Sequence, residues 1–317
     1  MSDWALENWT VADWVTSFTF FGVGIVGLFH WIRYFRLPAL RKSRLLFDES
    51  TSVRWGLLDV LIIGFIWLTS QALTMQFLTW HNGIEIGQKL PPGLAARFGV
   101  INGIVQVVVI GLSLVYLLKR YGHHESEFGF GKGKWKSGFR FGVIAFCMWV
   151  PVVWVLQTVL VFFIEYQHPS LNRMNNSQQL QTITDTWIAA VIVAPFVEEI
   201  LFRGLIQGWL QRVRGKGLSL PNQLIIGGQL EENPEGAKKR PGKKPSRTLH
   251  IPAILITSVL FGLAHFSQGP APISLFVLSL GLGFLYQRTG SLFACIIVHM
   301  LLNGVTMVLF SIDLFVK

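Results

Sequence analysis

The feature that most limits what this chain can fold into is a recurrence of apolar runs long enough to cross a bilayer. A membrane helix needs about 20 mainly apolar residues. Eight stretches approach that length: Trp14–Ile32, Trp55–Trp80, Phe98–Leu118, Phe139–Ile164, Trp187–Leu210, Ile251–Phe266, Ile273–Gln287 and Leu292–Ile312. The sixth and seventh are the shortest. Trp14, Trp31, Trp55, Trp80, Trp187 and Trp209 fall near the ends of these runs, where an amphipathic indole favours the headgroup level. Charged residues make up only 14% of the chain, against about 25% in a soluble domain. With 25 Phe and 12 Trp, a disordered chain is excluded as well. The sequence predicts an all-α fold, a polytopic transmembrane helical bundle of about eight spans in a multi-pass integral membrane protein.

The net charge of +10 would suggest nucleic acid in a soluble protein, but the placement of the charges assigns it another meaning. Alternate connections hold 22 Lys and Arg residues, among them Arg33, Arg36, Lys132, Lys134 and Arg247, whereas the opposite side holds 4. Basic residues concentrate in cytoplasmic loops, so both termini are expected outside the cytoplasm, at the plasma membrane if the cell is bacterial. The expected partners are the lipid bilayer and a peptide or protein substrate, with no nucleic acid. One connection, residues 211–250, is strongly basic and contains Glu231 to Arg247, rich in Pro, Gly, Lys and Glu. Such a segment buries too little surface to fold and reads as a solvated cytoplasmic loop. Cys147 and Cys295 both lie in apolar stretches and are expected to behave as small hydrophobes.

Ionisable groups in lipid cost upward of about 2.5 kcal/mol each at mid-span, so each one is a candidate functional group. The fifth span holds Glu198, Glu199 and Arg203; the sixth holds His265 four residues after Phe261; the eighth holds His299 with Asn303 four residues on. Glu199 and Arg203, at i and i+4, share a helix face and can pair. Glu198 is turned about 100° away and has no partner on its own helix. Pro195 removes a backbone hydrogen bond just before it. Asp59, near the cytoplasmic end of the second span, reads as an interfacial residue.

These side chains can serve hydrolysis, with Glu198 as general base on a water, His265 orienting it, and His299 and Asn303 donating to the oxyanion of an attacked amide. Glu198, His265 and His299 also make a His₂Glu ligand set for zinc. A proton-coupled membrane transporter using the same Glu and His side chains as a relay is a further reading. So is a non-catalytic membrane partner.

Together, Glu198-Glu199-x-x-x-Arg203, Phe261-x-x-x-His265 and His299-x-x-x-Asn303 resemble the CAAX prenyl protease and bacteriocin-processing family of intramembrane endopeptidases. The resemblance runs from about Thr184 to Ile312. It implies a peptidase core within 181–317, behind an N-terminal scaffold or substrate-guiding wall in 1–180. It also implies that Glu198 and His265 activate the water, that His299 and Asn303 hold the oxyanion, and that Glu199, Arg203 and Phe261 support them. No cofactor is expected, zinc being the alternative, because an Asn beside the second His suits a carbonyl better than a metal. One geometric tension remains: on straight helices with these edges, Glu198, His265 and His299 lie at different depths. Tilt, a kink at Pro195 or different span edges must reconcile them.

Overall fold

The computed structural model describes residues 10–36, 53–85, 88–122, 135–164, 169–177, 179–215, 227 and 250–316. Among these the fold is all-α. The long elements are α1 (Val11–Arg36), α2 (Leu57–His81), α3 (Pro92–Tyr121) and α4 (Trp135–Val161), followed by the short α5 (Pro169–Asn176). Next comes α6, residues 180–215, then α7 (Ile251–Ala264), α8 (Ala271–Thr289) and α9 (Leu292–Val316). Residues 231–247, the expected solvated loop, lie outside the described residues.

Helices α1, α2, α3, α4, α8 and α9 are long and apolar enough to cross a membrane. Their outward residues include Phe18, Phe21, Ile25, Phe65 and Leu112, all well exposed. A surface of that kind suits lipid, since a soluble monomer rarely exposes a large contiguous apolar patch. Two elements depart from the expected spans. The fifth is longer than expected and alternates between two helical forms: α-helical Leu180–Trp187, π-helical Ile188–Val193, α-helical Ala194–Glu199, π-helical Ile200–Gln207 and α-helical Gly208–Gly215. Proline cannot donate to the ladder and its ring clashes with the carbonyl four residues back. The wider turn just before Pro195 accommodates that misfit. The sixth, α7, has 14 residues, about 21 Å at 1.5 Å per residue, and stops short of a full crossing.

The depth tension is resolved by contact across the bundle: the Nε2 atoms of His265 and His299 each lie 3.9 Å from Glu198 Oε2. The α8–α9 turn is itself buried at Ser291 and Leu292. Gly290, in the left-handed region at φ 59°, closes that turn, and its N–H donates to the Tyr286 carbonyl at 2.8 Å.

Two sequence expectations need correction. Trp55 is not an interfacial indole: it is 1% exposed and its N–H donates to the Leu205 carbonyl at 3.0 Å, tying the start of α2 to α6. Trp14 and Trp80 do lie on the surface. Asp59 is not water-exposed either. It caps the first turn of α2 by accepting from the Gly56 N–H at 2.8 Å, and it accepts from the Tyr121 hydroxyl at 2.6 Å.

Helix α9, which carries His299, is pressed against α4 through glycine. A Cβ at Gly142 would stand 2.7 Å from Ile297 Cβ and 2.9 Å from the Ala294 carbonyl oxygen; small residues allow such close approach in membranes. Overpacking a tight contact costs about 1–3 kcal/mol. Gly142→Leu is expected to lower the melting temperature of the detergent-solubilised protein clearly. Gly24→Leu, at an α1 position with nothing within 4 Å, should leave it nearly unchanged.

Candidate active site

Five helices supply the site: α6, α7 and α9 hold the ionisable groups, and α2 and α3 wall the cavity beside them. Because successive helical residues are about 100° apart, Glu198 and Glu199 face different surroundings. The Glu198 side chain is 20% exposed and borders a cavity of about 340 Å³. Glu199 is fully buried.

Glu199 holds two partners at once. Its Oε2 lies 3.2 Å from Arg203 Nε, and its Oε1 lies 2.9 Å from His299 Nδ1. The expected i, i+4 pair is therefore present, and it also anchors an imidazole on another helix. Arg203 is itself fully buried, with its guanidinium carbon 4.9 Å from the centre of the Phe261 ring. The aromatic face complements the cation, while the terminal guanidinium nitrogens have no hydrogen-bond acceptor among the described residues. Phe261 also packs at ring separations of 5.0 Å against Phe202, 5.0 Å against His265 and 5.9 Å against His299. The phenyl ring is the hub around which the other residues are placed.

The two histidines are oriented alike. His265 Nδ1 lies 2.9 Å from the Phe261 carbonyl oxygen, and only a protonated Nδ1 can donate there. His299 Nδ1 likewise faces the Glu199 carboxylate. In the neutral rings both protons are thus committed away from the centre. Both Nε2 atoms then turn lone pairs toward Glu198 Oε2, at 3.9 Å each. That carboxylate oxygen has no hydrogen-bond partner among the described residues. Three acceptors surround one point, and a water between them would donate to two of the three. Donation from His299 Nε2 to an oxyanion requires the doubly protonated ring.

Asn303 sits one turn beyond His299, and its amide nitrogen donates to the Ala190 carbonyl in the first π-helical stretch of α6 at 2.8 Å. One of its two amide hydrogens is therefore used between helices, and the second remains. Donors around a tetrahedral zinc ion stand about 3.3 Å apart, given metal–ligand distances near 2 Å. The Glu198–imidazole separations are wider, at 3.9 Å, and no group of three His, Cys, Asp or Glu among the described residues is set to hold a metal ion. As placed, these side chains do not form a zinc first shell.

The rest of the cavity comes from helices whose sequences read only as apolar spans. Helix α2 contributes Trp67 and Gln71, and α3 contributes Gly99, Gly103 and Gln106. Gln268, just past α7, lies at the same cavity. The signal in the sequence was weak but present: Trp67 and Gln71 are at i and i+4, and Gly99, Gly103 and Gln106 at i, i+4 and i+7, which puts each set on one helix face.

Comparison with known proteins bears on this arrangement. Residues 181–305 match the family model described as type II CAAX prenyl endopeptidase Rce1-like. Over that region the chain is similar to the CAAX prenyl protease family. The region contains Glu198, Arg203, His265, His299 and Asn303, together with the Phe261 hub, and the match supports an intramembrane protease in general. No curated protein and no solved structure matches the chain.

Breaking a buried ion pair on one side leaves an uncompensated charge, at a cost of about 3–5 kcal/mol. Glu199→Gln alone is expected to destabilise strongly in chemical denaturation, whereas Glu199→Gln combined with Arg203→Met should recover a substantial part of that loss. Equal losses in the single and double variants would count against the pair.

Proposed function

We propose that the protein is an intramembrane endopeptidase that hydrolyses peptide bonds of membrane-associated or C-terminal peptide substrates with a directly activated water. The observation that carries this reading is the convergence of Glu198 Oε2 and two imidazole Nε2 atoms at the edge of a cavity large enough for a ligand. Pockets that bind small ligands span about 300–1,000 Å³.

The water donates one proton toward Glu198 and its other toward His265. As its oxygen attacks the substrate carbonyl carbon, Glu198 takes the first proton. The charge that develops on the carbonyl oxygen is met by the remaining Asn303 amide hydrogen and by protonated His299. The carbon–nitrogen bond then breaks, and the proton on Glu198 passes to the leaving nitrogen. Glu199 acts through His299 as a positioning residue, and Arg203 neutralises Glu199. Phe261 keeps both imidazoles in place.

The same Glu and His side chains would also serve a proton-coupled carrier. The family match at 181–305 favours the peptidase, because it spans all three motifs.

General acid–base groups contribute about 10²–10⁴-fold. Glu198→Gln and His265→Ala are each expected to reduce peptide cleavage by at least about a hundredfold in purified protein, with unchanged melting. Substrate uptake into liposomes that depends on Glu198, without cleavage, would instead support a carrier. Exhaustive chelation is expected to leave cleavage intact; loss that added zinc restores would reverse the direct-water mechanism.

A further inference from the structure

The cavity beside Glu198 carries three glutamine side chains from three places in the fold: Gln71 in α2, Gln106 in α3 and Gln268 after α7. Glutamine in an apolar span usually acts as glue between helices. Gln106 does so in part, since the Trp67 indole N–H donates to its Oε1 at 3.2 Å. That contact fixes the carbonyl end and leaves the amide nitrogen as a donor. The Gln71 and Gln268 carboxamides make no hydrogen bond to any described residue, so hydrogen bonding between helices does not explain them.

Two glycines on the same α3 face differ in a way that matters. Gly103 is required by packing, because a Cβ there would stand 2.8 Å from Val193 Cγ1. Gly99 also borders the cavity, yet a Cβ there would meet nothing within 4 Å. Its missing side chain leaves open space instead of permitting a helix contact.

We propose that Gln71, Gln106 and Gln268 form a carboxamide cradle for the main chain of an unwound substrate segment, and that Gly99 leaves room for the substrate side chain at that level. This inference rests on the peptidase reading and names what the site holds. A carbonyl under attack by water must be released from helical pairing, and unpaired main-chain groups cost several kcal/mol each in a medium without water. A carboxamide offers the same donor and acceptor as a peptide unit, and it does so without placing a further charge in lipid. The cradle therefore supplies replacement partners where the substrate helix opens. The substrate class follows: an apolar segment that unwinds locally and presents its main chain, with a small or flexible residue next to the bond cut.

The test is a binding measurement on the full-length protein in lipid nanodiscs. The probe is a fluorescent synthetic apolar peptide of about 20 residues with an Ala-Gly centre, compared with the same peptide N-methylated at the two central amides. The parent is expected to bind about tenfold tighter or better, and that preference should collapse in Gln71→Leu/Gln106→Leu protein of unchanged melting temperature. Gly99→Leu should weaken binding of the parent about tenfold. Gly111→Leu, also in α3 with nothing within 4 Å but away from the cavity, should not. Equal binding of the two peptides to the unmodified protein would overturn the cradle, as would a preference that survives in the double glutamine variant. A loss in Gly111→Leu matching that in Gly99→Leu would overturn the role of Gly99. Cleavage assays run in parallel separate the two ideas. Cleavage without discrimination against N-methylation defeats the cradle alone, and discrimination without any cleavage defeats the peptidase reading alone.

Discussion

Charge in a low-dielectric interior governs the architecture of this protein. Glu199, Arg203 and His299 are all buried, and none would be tolerated singly in such surroundings. They are tolerated as a set: the carboxylate holds the guanidinium on one side and the imidazole on the other, and the Phe261 ring covers the cation. The same contacts that solve the solvation problem fix the orientation of the His299 ring and aim its Nε2 at Glu198. Stability and preorganisation thus come from one network. This is why Glu199, which does not reach the cavity, is expected to matter for turnover.

The composite helix α6 separates the two carboxylates. Adjacent in sequence, Glu198 and Glu199 are driven onto different faces by helical rotation, one toward the cavity and one toward the buried cation. The π-helical stretches on either side are uncommon and often mark functional sites. Here the first absorbs Pro195 and offers the Ala190 carbonyl to Asn303, and the second carries Arg203. Helix α7 ends at the candidate site itself, so the Phe261 carbonyl near its C-terminus is available to hold His265. A full-length span would have spent that carbonyl on its own ladder.

Much of this was legible in the sequence because the physics involved is local or periodic. Apolar runs of bilayer length announced the helices, and i, i+4 spacing paired Glu199 with Arg203 and put His299 and Asn303 on one face. The edges of α6 and the buried α8–α9 turn were not legible, since both depend on contacts between helices distant in the chain. Trp55 illustrates the limit: at the end of an apolar run it looks like a headgroup anchor, yet its partner is a carbonyl 150 residues away. The cavity wall of α2 and α3 escaped for a related reason. Gln71, Gly99 and Gln106 carry no charge, so they raise no alarm in an apolar span until the opposing helices show what lies between them.

The central claim is that one water, held by Glu198 and His265, attacks the peptide bond without a covalent intermediate on the protein. Single-turnover cleavage in heavy-oxygen water tests it most directly, with mass analysis of both the product and the enzyme. The account predicts one heavy oxygen in the newly formed substrate carboxylate and none in the protein. Heavy oxygen in the Glu198 side chain, the mark of a carboxylate that attacks as a nucleophile, would contradict it.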